Sequence, residues 1–347
     1  MLAVIGQNEV IFSPVFFRYH MNAILNSLKL TILICLFSIH TYGQEVRYSF
    51  EKGMMGSPFK LVFYASGDSL ANLAAKRAFE RIEKLNEILS DYRDGSEINM
   101  LSAQSGSGKW VSVSKDLFDI LAVSQDISKK TDGAFDATLG PVVQMWRHAT
   151  RKGIFPSQDE IRDALQKTGY SKMQMDKSKQ RILLTQKGMR LDIGGLGKGY
   201  AAEEAIKVLK NMGITSAMMD AGGKIVLTNP PPGTKGWNIT ISNGSDSLKT
   251  MELSNVALAT SGPTYRFMEY KGIKYSHIVD PQTGIGLLFH VRTTVISADG
   301  TVADALATAF SVAGIDKSKA YLKHFPGSRV WLVEKQDERI ADWNMLE

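Results

Sequence analysis

The chain has 347 residues, 44% of them apolar and 22% charged, with a formal net charge of +6 and a pI near 9.1. That is the composition of a globular protein with one large domain or two modest ones, without low-complexity tracts. Basic and acidic residues are interspersed and no Lys/Arg run is present, so a nucleic-acid partner is not expected.

The first feature in chain order is Lys29, followed by the apolar run Leu30 to Ile39 and small residues at Thr41 and Gly43. A run of about ten residues is short of the roughly 20 that span a bilayer, and the order is that of a secretory signal peptide cleaved after Gly43. Residues 1–43 are therefore expected to be a leader, with Met21 as an alternative start, and residues 44–347 a single domain. The sole cysteine, Cys35, lies in the apolar run after Ile34, where a lipid-attachment site calls for a small residue. Cleavage removes it, leaving no disulfide and no thiol chemistry.

The stretch Phe59–Ser66 reads as a strand, and Asp68–Ser90 as a helix with an apolar stripe at Leu70, Leu73, Ala74, Ala78, Ile82, Leu85 and Leu89. A helix follows Ser114 with Leu117, Leu121 and Ile127 inward, and Ser157 with Glu160 forms a capping box for a helix ending near Gly169. The segment beginning at Ala201 is a helix stopped by Gly213, and strands are expected at Arg181–Thr185, Ser216–Asp220, Trp237–Ile241 and Thr293–Ser297. Helices and strands mix without regular βαβ alternation, so the fold class is α+β.

Three stretches carry chemistry. In LDIGGLGKGY, Leu191 to Tyr200, four glycines flank one lysine. A P-loop needs Gly at position 192 and Ser/Thr at 199, which are Asp and Gly, and the two-residue spacing of Gly195, Gly197 and Gly199 does not match a dinucleotide fingerprint. A tight turn packing a helix on a sheet and a ligand-binding backbone are equally compatible with it. In TVADALATAF, Asp304 and Thr308 share one face of an alanine-rich helix. Taken alone, Asp304 is expected on a solvent face or as a helix cap; with a hydroxyl and a backbone carbonyl it also suits Mg²⁺. In TDGAFDATLG, Asp136 is expected to cap a helix, and in YSHIVDPQTG a lone His277 is more often structural than catalytic. No hydrolase triad, H-E-x-x-H or C-x-x-C pattern appears.

Taken together, MMGSPF (Met54–Phe59), SDYRDGSEIN (Ser90–Asn99), DGAFDATLGPVVQMW (Asp132–Trp146), LDIGGLGKGY, DAGGKI (Asp220–Ile225), ATSG (Ala259–Gly262), YSHIVDPQTG (Tyr275–Gly284) and ADALATA (Ala303–Ala309) resemble, in order, the ApbE family of flavin transferases. The resemblance implies a single α+β catalytic unit of mixed sheets with packed helices, related to the T-fold. It implies an exported enzyme, periplasmic or associated with the inner membrane, that cleaves FAD with Mg²⁺, joins FMN to a Thr or Ser hydroxyl of an acceptor protein, such as a membrane redox-complex subunit, and releases AMP. By motif position, Gly195 (through its carbonyl), Asp304 and Thr308 are the implied metal ligands. Met55, Tyr92, Ala134, Phe135, Asp136, Asp192, Lys198 and Ile278 line the implied FAD site, and His277 helps deprotonate the acceptor hydroxyl. On this reading the glycines keep Cβ atoms away from the pyrophosphate. Two departures, Lys224 in GGKI and Pro263 with Thr264 in SGPTYRF, are expected to bear on acceptor choice and to leave the metal ligands untouched. An FAD pyrophosphatase and a secreted FAD-binding protein are the competing readings.

Overall fold

The computed structural model describes residues 45–242, 248–262, 267–288, 290–336 and 339–346. The expected leader with Cys35, and Pro263 with Thr264, lie outside the described residues. In chain order, β1 (Val46–Met54) and β2 (Ser57–Ala65) form a hairpin that leads into α1 (Asp68–Leu89) and α2 (Glu97–Ala103). After β3 (Val111–Ser112) come α3 (Lys115–Lys130), α4 (Gly140–Lys152) and α5 (Gln158–Gln166), then β4 (Met173–Asp176), β5 (Arg181–Leu184) and α6 (Gly197–Asn211). Seven strands follow: β6 (Ala217–Ala221), β7 (Lys224–Leu227), β8 (Trp237–Ser242), β9 (Leu248–Leu253), β10 (Ala257–Ser261), β11 (Phe267–Tyr270) and β12 (Ile273–Ser276). The chain ends with β13 (His290–Ser297), α7 (Gly300–Leu322), β14 (Arg329–Gln336) and β15 (Arg339–Asn344).

Side chains alternate across a strand, so a strand buried on both faces needs apolar residues at consecutive positions. The antiparallel sheet β1-β2-β6-β7-β10-β13-β14-β15 does this repeatedly. Phe59, Leu61 and Phe63 of β2 join the larger core under the helices, while Val62 between them joins a second core containing Trp237, Ile239 and Ile241 of the β8–β9 ribbon. Ala259 and Leu258 of β10 divide the same way, as do Leu332 and Trp331 of β14. The sheet thus lies between a helical layer, chiefly α1, α6 and α7, and the β8–β9 ribbon.

The α7 helix is buried on nearly every side of its first half, at Ala303, Ala305, Leu306, Ala307, Ala309 and Phe310. A helix apolar all round is a core helix, and its alanines let α6, β10 and β13 approach closely. Gly314 breaks it with φ 71° and ψ 177°, and Glu334 of β14 accepts from Ile315 N at 2.7 Å to restart the second segment.

Sequence signals for helix ends hold where the capping chemistry is local. Ser114 accepts from Leu117 N, and the Ser157–Glu160 capping box has both of its bonds. The α5 helix stops at Gln166, short of Gly169, and α6 begins at Gly197, inside the glycine cluster. Leu73, assigned to the apolar stripe of α1, is 44% exposed, whereas Ala71 and Ala75 are buried. The α1 stripe therefore faces its partners mainly through alanines, which carry no strong apolar signal in the sequence.

Candidate functional site

Gly195, Asp304 and Thr308 come together although more than a hundred residues separate the first from the other two. Thr308 Oγ1 lies 3.4 Å from the carbonyl oxygen of Gly195 and 3.3 Å from that of Asp304, one turn back on its own helix. Both contacts are long for hydroxyl hydrogen bonds. Asp304 is 1% exposed, and its Oδ2 accepts from Gly199 N at 3.0 Å. The carboxylate thereby satisfies an amide in the first turn of α6, a helix with no side-chain N-cap of its own. Neither expectation drawn from Asp304 in isolation holds: its face is not solvated, and the cap of α7 is Asp299, which accepts from Thr301 N and Val302 N.

The glycines have protein neighbours. A Cβ on Gly199 would sit 2.1 Å from the carbonyl oxygen of Gly300 and 2.8 Å from Asp304 Cβ. On Gly195 it would sit 2.9 Å from the Phe135 ring and 3.1 Å from Thr308 Oγ1. On Gly197 it would meet only ordinary contacts, Ile193 at 3.4 Å and Met55 Cε at 3.9 Å. At 195 and 199 the approach of α7 and Phe135 already requires bare backbone, whatever a bound pyrophosphate adds. Of the two readings of the glycine cluster, helix packing is realised at 199, and it brings Asp304 to the start of α6.

Several of the remaining residues are tied to this loop by two braces. Met55 sits with φ 47° beside Gly56 at φ 72° in the two-residue turn of the β1–β2 hairpin, the positive-φ pair that such turns require. A non-glycine residue in this region is uncommon, and the turn carries its thioether to Gly197. On the other side, Asp192 N donates to the carbonyl of Ala137 at 2.8 Å and Asp192 Oδ1 accepts from Gly194 N at 2.8 Å. Arg147 of α4 donates to Asp192 Oδ2 at 2.9 Å and also to Asp91, while its guanidinium lies 4.0 Å from the Tyr92 ring centroid. Burial, with the nearby Asp91 charge, pushes the Asp192 carboxyl above the usual carboxylate range, against the pull of Arg147.

Asp136 is not a helix cap. Its Oδ1 accepts from Thr138 N and Oγ1, both at 2.7 Å, and its Oδ2 accepts from Tyr170 N at 2.9 Å, so it braces the turn that presents Ala134 and buried Phe135. Lys198 is half-buried at the second position of α6, and Tyr92 is 70% exposed at the rim. His277 and Ile278 stand on their own turn after β12, with His277 exposed and Ile278 buried. That turn is docked on α4: Tyr275 stacks on Trp146 at 5.7 Å between centroids, and Trp146 Nε1 donates to Gly284 O at 2.7 Å. The α4 helix therefore carries both Arg147, which holds Asp192, and Trp146, which holds the His277 turn.

Two contributors were missed or misassigned from the sequence. Arg147 lies in an ordinary helical stretch. Lys224, expected to leave the metal ligands untouched, has its ammonium 3.6 Å from Asp304 Oδ1 and donates to the carbonyl of Thr260. Among the described residues no three His, Cys, Asp or Glu side chains gather as a metal site. The oxygens at hand are instead a carboxylate, a hydroxyl and a carbonyl, hard donors of the kind Mg²⁺ takes with substrate phosphates. This set fits the ion, with its one carboxylate already facing Lys224. A cleft of about 540 Å³ between α4 and α5, lined by residues such as His148, Phe155 and Arg190, includes none of the site residues named above.

The fold and the loop together define an α+β protein in which a buried carboxylate, a threonine and a glycine carbonyl converge at a helix start. The family model described as the ApbE family matches residues 55–332, and the chain belongs to that family. It is 29% identical over 322 residues to the FAD:protein FMN transferase of Treponema pallidum (strain Nichols), covering 86% of this chain and 89% of that protein. It is 28% identical over 291 residues to the protein of that name from Escherichia coli (strain K12), covering 79% and 82%. The crystal structure of the flavinyl transferase ApbE of Pseudomonas stutzeri, apo form, matches with a TM-score of 0.78 at 26% identity, over 88% of this chain and 97% of that one. The ApbE protein of Thermotoga maritima matches with a TM-score of 0.77 at 27% identity, over 87% and 97%.

Proposed function

We propose that the protein is an FAD:protein FMN transferase that uses Mg²⁺ to move FMN from FAD onto a Thr or Ser hydroxyl of an acceptor protein. The observation that carries this reading is the convergence of Asp304, Thr308 and Gly195 O at the start of α6, beside Phe135 and Met55, in a chain of the ApbE family. Relatives that bear this activity in their names, matched over most of their length, support it.

In the reaction the acceptor oxygen bonds to the FMN phosphorus, the bridging P–O bond to the AMP phosphate breaks, and the hydroxyl proton leaves with a base. His277 takes that proton: its imidazole is exposed on a turn clamped by Ser276 N to Leu287 O and Leu287 N to Ile278 O, both 2.9 Å, and accessible to a macromolecular substrate. Asp304, Thr308 and the Gly195 carbonyl would hold Mg²⁺, which would supply neutralisation of the pyrophosphate charge. Lys198, in the first turn of α6, would add its charge at the same helix start. Phe135, Ala134, Met55, Tyr92 and Ile278 supply the apolar and aromatic surface for the flavin nucleotide, while the Arg147–Asp192 pair and Asp136 hold the loops that present them. Secretion is part of the proposal, supported by the apolar run at 30–39 after Lys29; it places the enzyme in the periplasm, where exported membrane redox proteins offer acceptor segments.

The test is mass spectrometry of an acceptor bearing an Asp-Gly-x-Thr/Ser-Gly-Ala-Thr-like segment, incubated with the protein, FAD and Mg²⁺ while AMP is followed. A Mg²⁺-dependent gain of one FMN on the acceptor, with AMP, is expected. AMP without acceptor gain identifies a pyrophosphatase, and FAD binding without either product identifies a binding protein.

A further inference from the structure

The Asp304 carboxylate is engaged on both oxygens. Oδ2 accepts from Gly199 N at 3.0 Å, and Oδ1 faces Lys224 Nζ at 3.6 Å. The pair is secluded: the Lys224 side chain is 12% exposed and that of Asp304 2%. The ammonium is also fixed from the other side, because it donates to the carbonyl of Thr260 on β10, the strand paired with β7. A cation held between a carboxylate and a carbonyl, out of water, is an efficient neutraliser of that carboxylate.

The protein therefore offers a divalent ion two uncharged oxygens, from Thr308 and Gly195, and a carboxylate whose charge is already matched. Mg²⁺ is ordinarily bound through one or two carboxylates together with substrate phosphates, and it gives up its water reluctantly. With the protein's own charge cancelled, the negative charge that draws the ion must arrive with the substrate. We infer that Lys224 makes the divalent cation a joint ligand with the dinucleotide: the nucleotide-free protein holds the metal weakly, and metal and pyrophosphate bind with strong mutual coupling. This rests on the function proposed above, and it assigns Lys224 a role in loading order. Coupling of this kind is reciprocal, so the metal strengthens FAD binding by the same factor that FAD strengthens metal binding.

The test uses Mn²⁺ as the metal probe on the folded chain. Mn²⁺ is titrated by electron paramagnetic resonance without nucleotide into the wild type, Lys224→Met and Lys224→Arg, and FAD binding is followed by flavin fluorescence with and without Mn²⁺. Lys224→Met is expected to bind Mn²⁺ alone about tenfold or more tightly than the wild type, and Lys224→Arg to stay near the wild type. The strengthening of Mn²⁺ binding by FAD is expected to shrink in Lys224→Met by a similar factor. If Lys224→Met does not fold by circular dichroism, Lys224→Gln, which keeps a donor for the Thr260 carbonyl, is read in its place. Equal Mn²⁺ affinities for the wild type and the neutral variant without nucleotide overturn the inference while FAD binding leaves the proposed function standing. Absence of any FAD binding in the presence of Mn²⁺ overturns the proposed function itself.

Discussion

Replacing Gly199 by alanine puts a methyl carbon 2.1 Å from the carbonyl oxygen of Gly300 and 2.8 Å from Asp304 Cβ. Both neighbours are at or next to the backbone of α7, so no rotamer change relieves the overlap, and α6 and α7 must separate by about 1 Å to reach normal contact. Overpacking of this kind costs about 1–3 kcal/mol, offset by roughly 1 kcal/mol because alanine is the better helix former. Because the 2.1 Å neighbour is backbone, the upper end of that cost applies and the net expectation is a loss of about 2 kcal/mol, which for a domain of this size lowers Tm by roughly 1.5 °C per kcal/mol. Gly197→Ala, two residues earlier in the same turn, meets nothing closer than 3.4 Å, and it is expected to stabilise by about 0.4–1 kcal/mol. Urea unfolding of both variants, followed by circular dichroism, separates them. A Gly199→Ala protein as stable as the wild type, or a Gly197→Ala protein destabilised alongside it, would refute the assignment of the glycine requirement to the α6–α7 crossing.

Other expected outcomes follow from single contacts. Asp304→Asn keeps an acceptor for Gly199 N but removes the charge, and Mg²⁺-dependent FMN transfer, read by acceptor mass, should fall about a hundredfold or more; retained activity would take Asp304 out of the site. Asp116 is held below its ordinary pKa first by the Arg81 hydrogen bonds, at 2.6 and 2.7 Å. Its contribution is therefore present above the unfolded value near 4 and lost as pH falls through the lower folded value. Asp116→Asn should be less stable than the wild type by about 1 kcal/mol at pH 7, since the pair is partly solvated and Arg81 keeps Glu204, with the gap closing below about pH 4; a pH-independent gap in unfolding titrations would contradict this. Ser157→Ala removes the capping box of α5 and should cost about 1 kcal/mol in the same assay. Trp146→Phe deletes the 2.7 Å bond to Gly284 O; it should lower kcat for transfer more than it lowers Tm, since the bond secures the His277 turn, and the opposite ranking would make Trp146 a stability residue only.

What could be read from the sequence is what depends on short spacing. Ser114 and Ser157 announce their helices because capping bonds span three residues, β8 announces itself by side-chain alternation, and β2 by a short apolar run. Asp304 and Thr308 are visible as a pair because four residues make one turn. The burial of that pair was not legible, since it comes from α7 being covered by α6, β10 and β13, and an alanine-rich segment gives no period from which to tell which face is covered. The Lys224–Asp304 contact is longer still in reach: the sheet order carries β7 beside β10 and under α7, and no local pattern encodes that neighbour. The early start of α6 at Gly197 defied propensity because Asp304 supplies from another helix the acceptor that the segment lacks.

Among the described residues the great sheet ends in two margins, β1 and β15. A margin of unpaired amides and carbonyls is an invitation to any other extended chain, including a second copy of the same molecule. Here β1 presents exposed Arg47, Glu51 and Lys52, so a strand arriving at that rim meets charge, while β15 presents Asp342 beside the exposed apolar Ile340. Charge on the β1 rim suits a molecule proposed to handle other polypeptides: it discourages sticking by strand addition there and leaves the loop-built centre as the place where a partner is engaged.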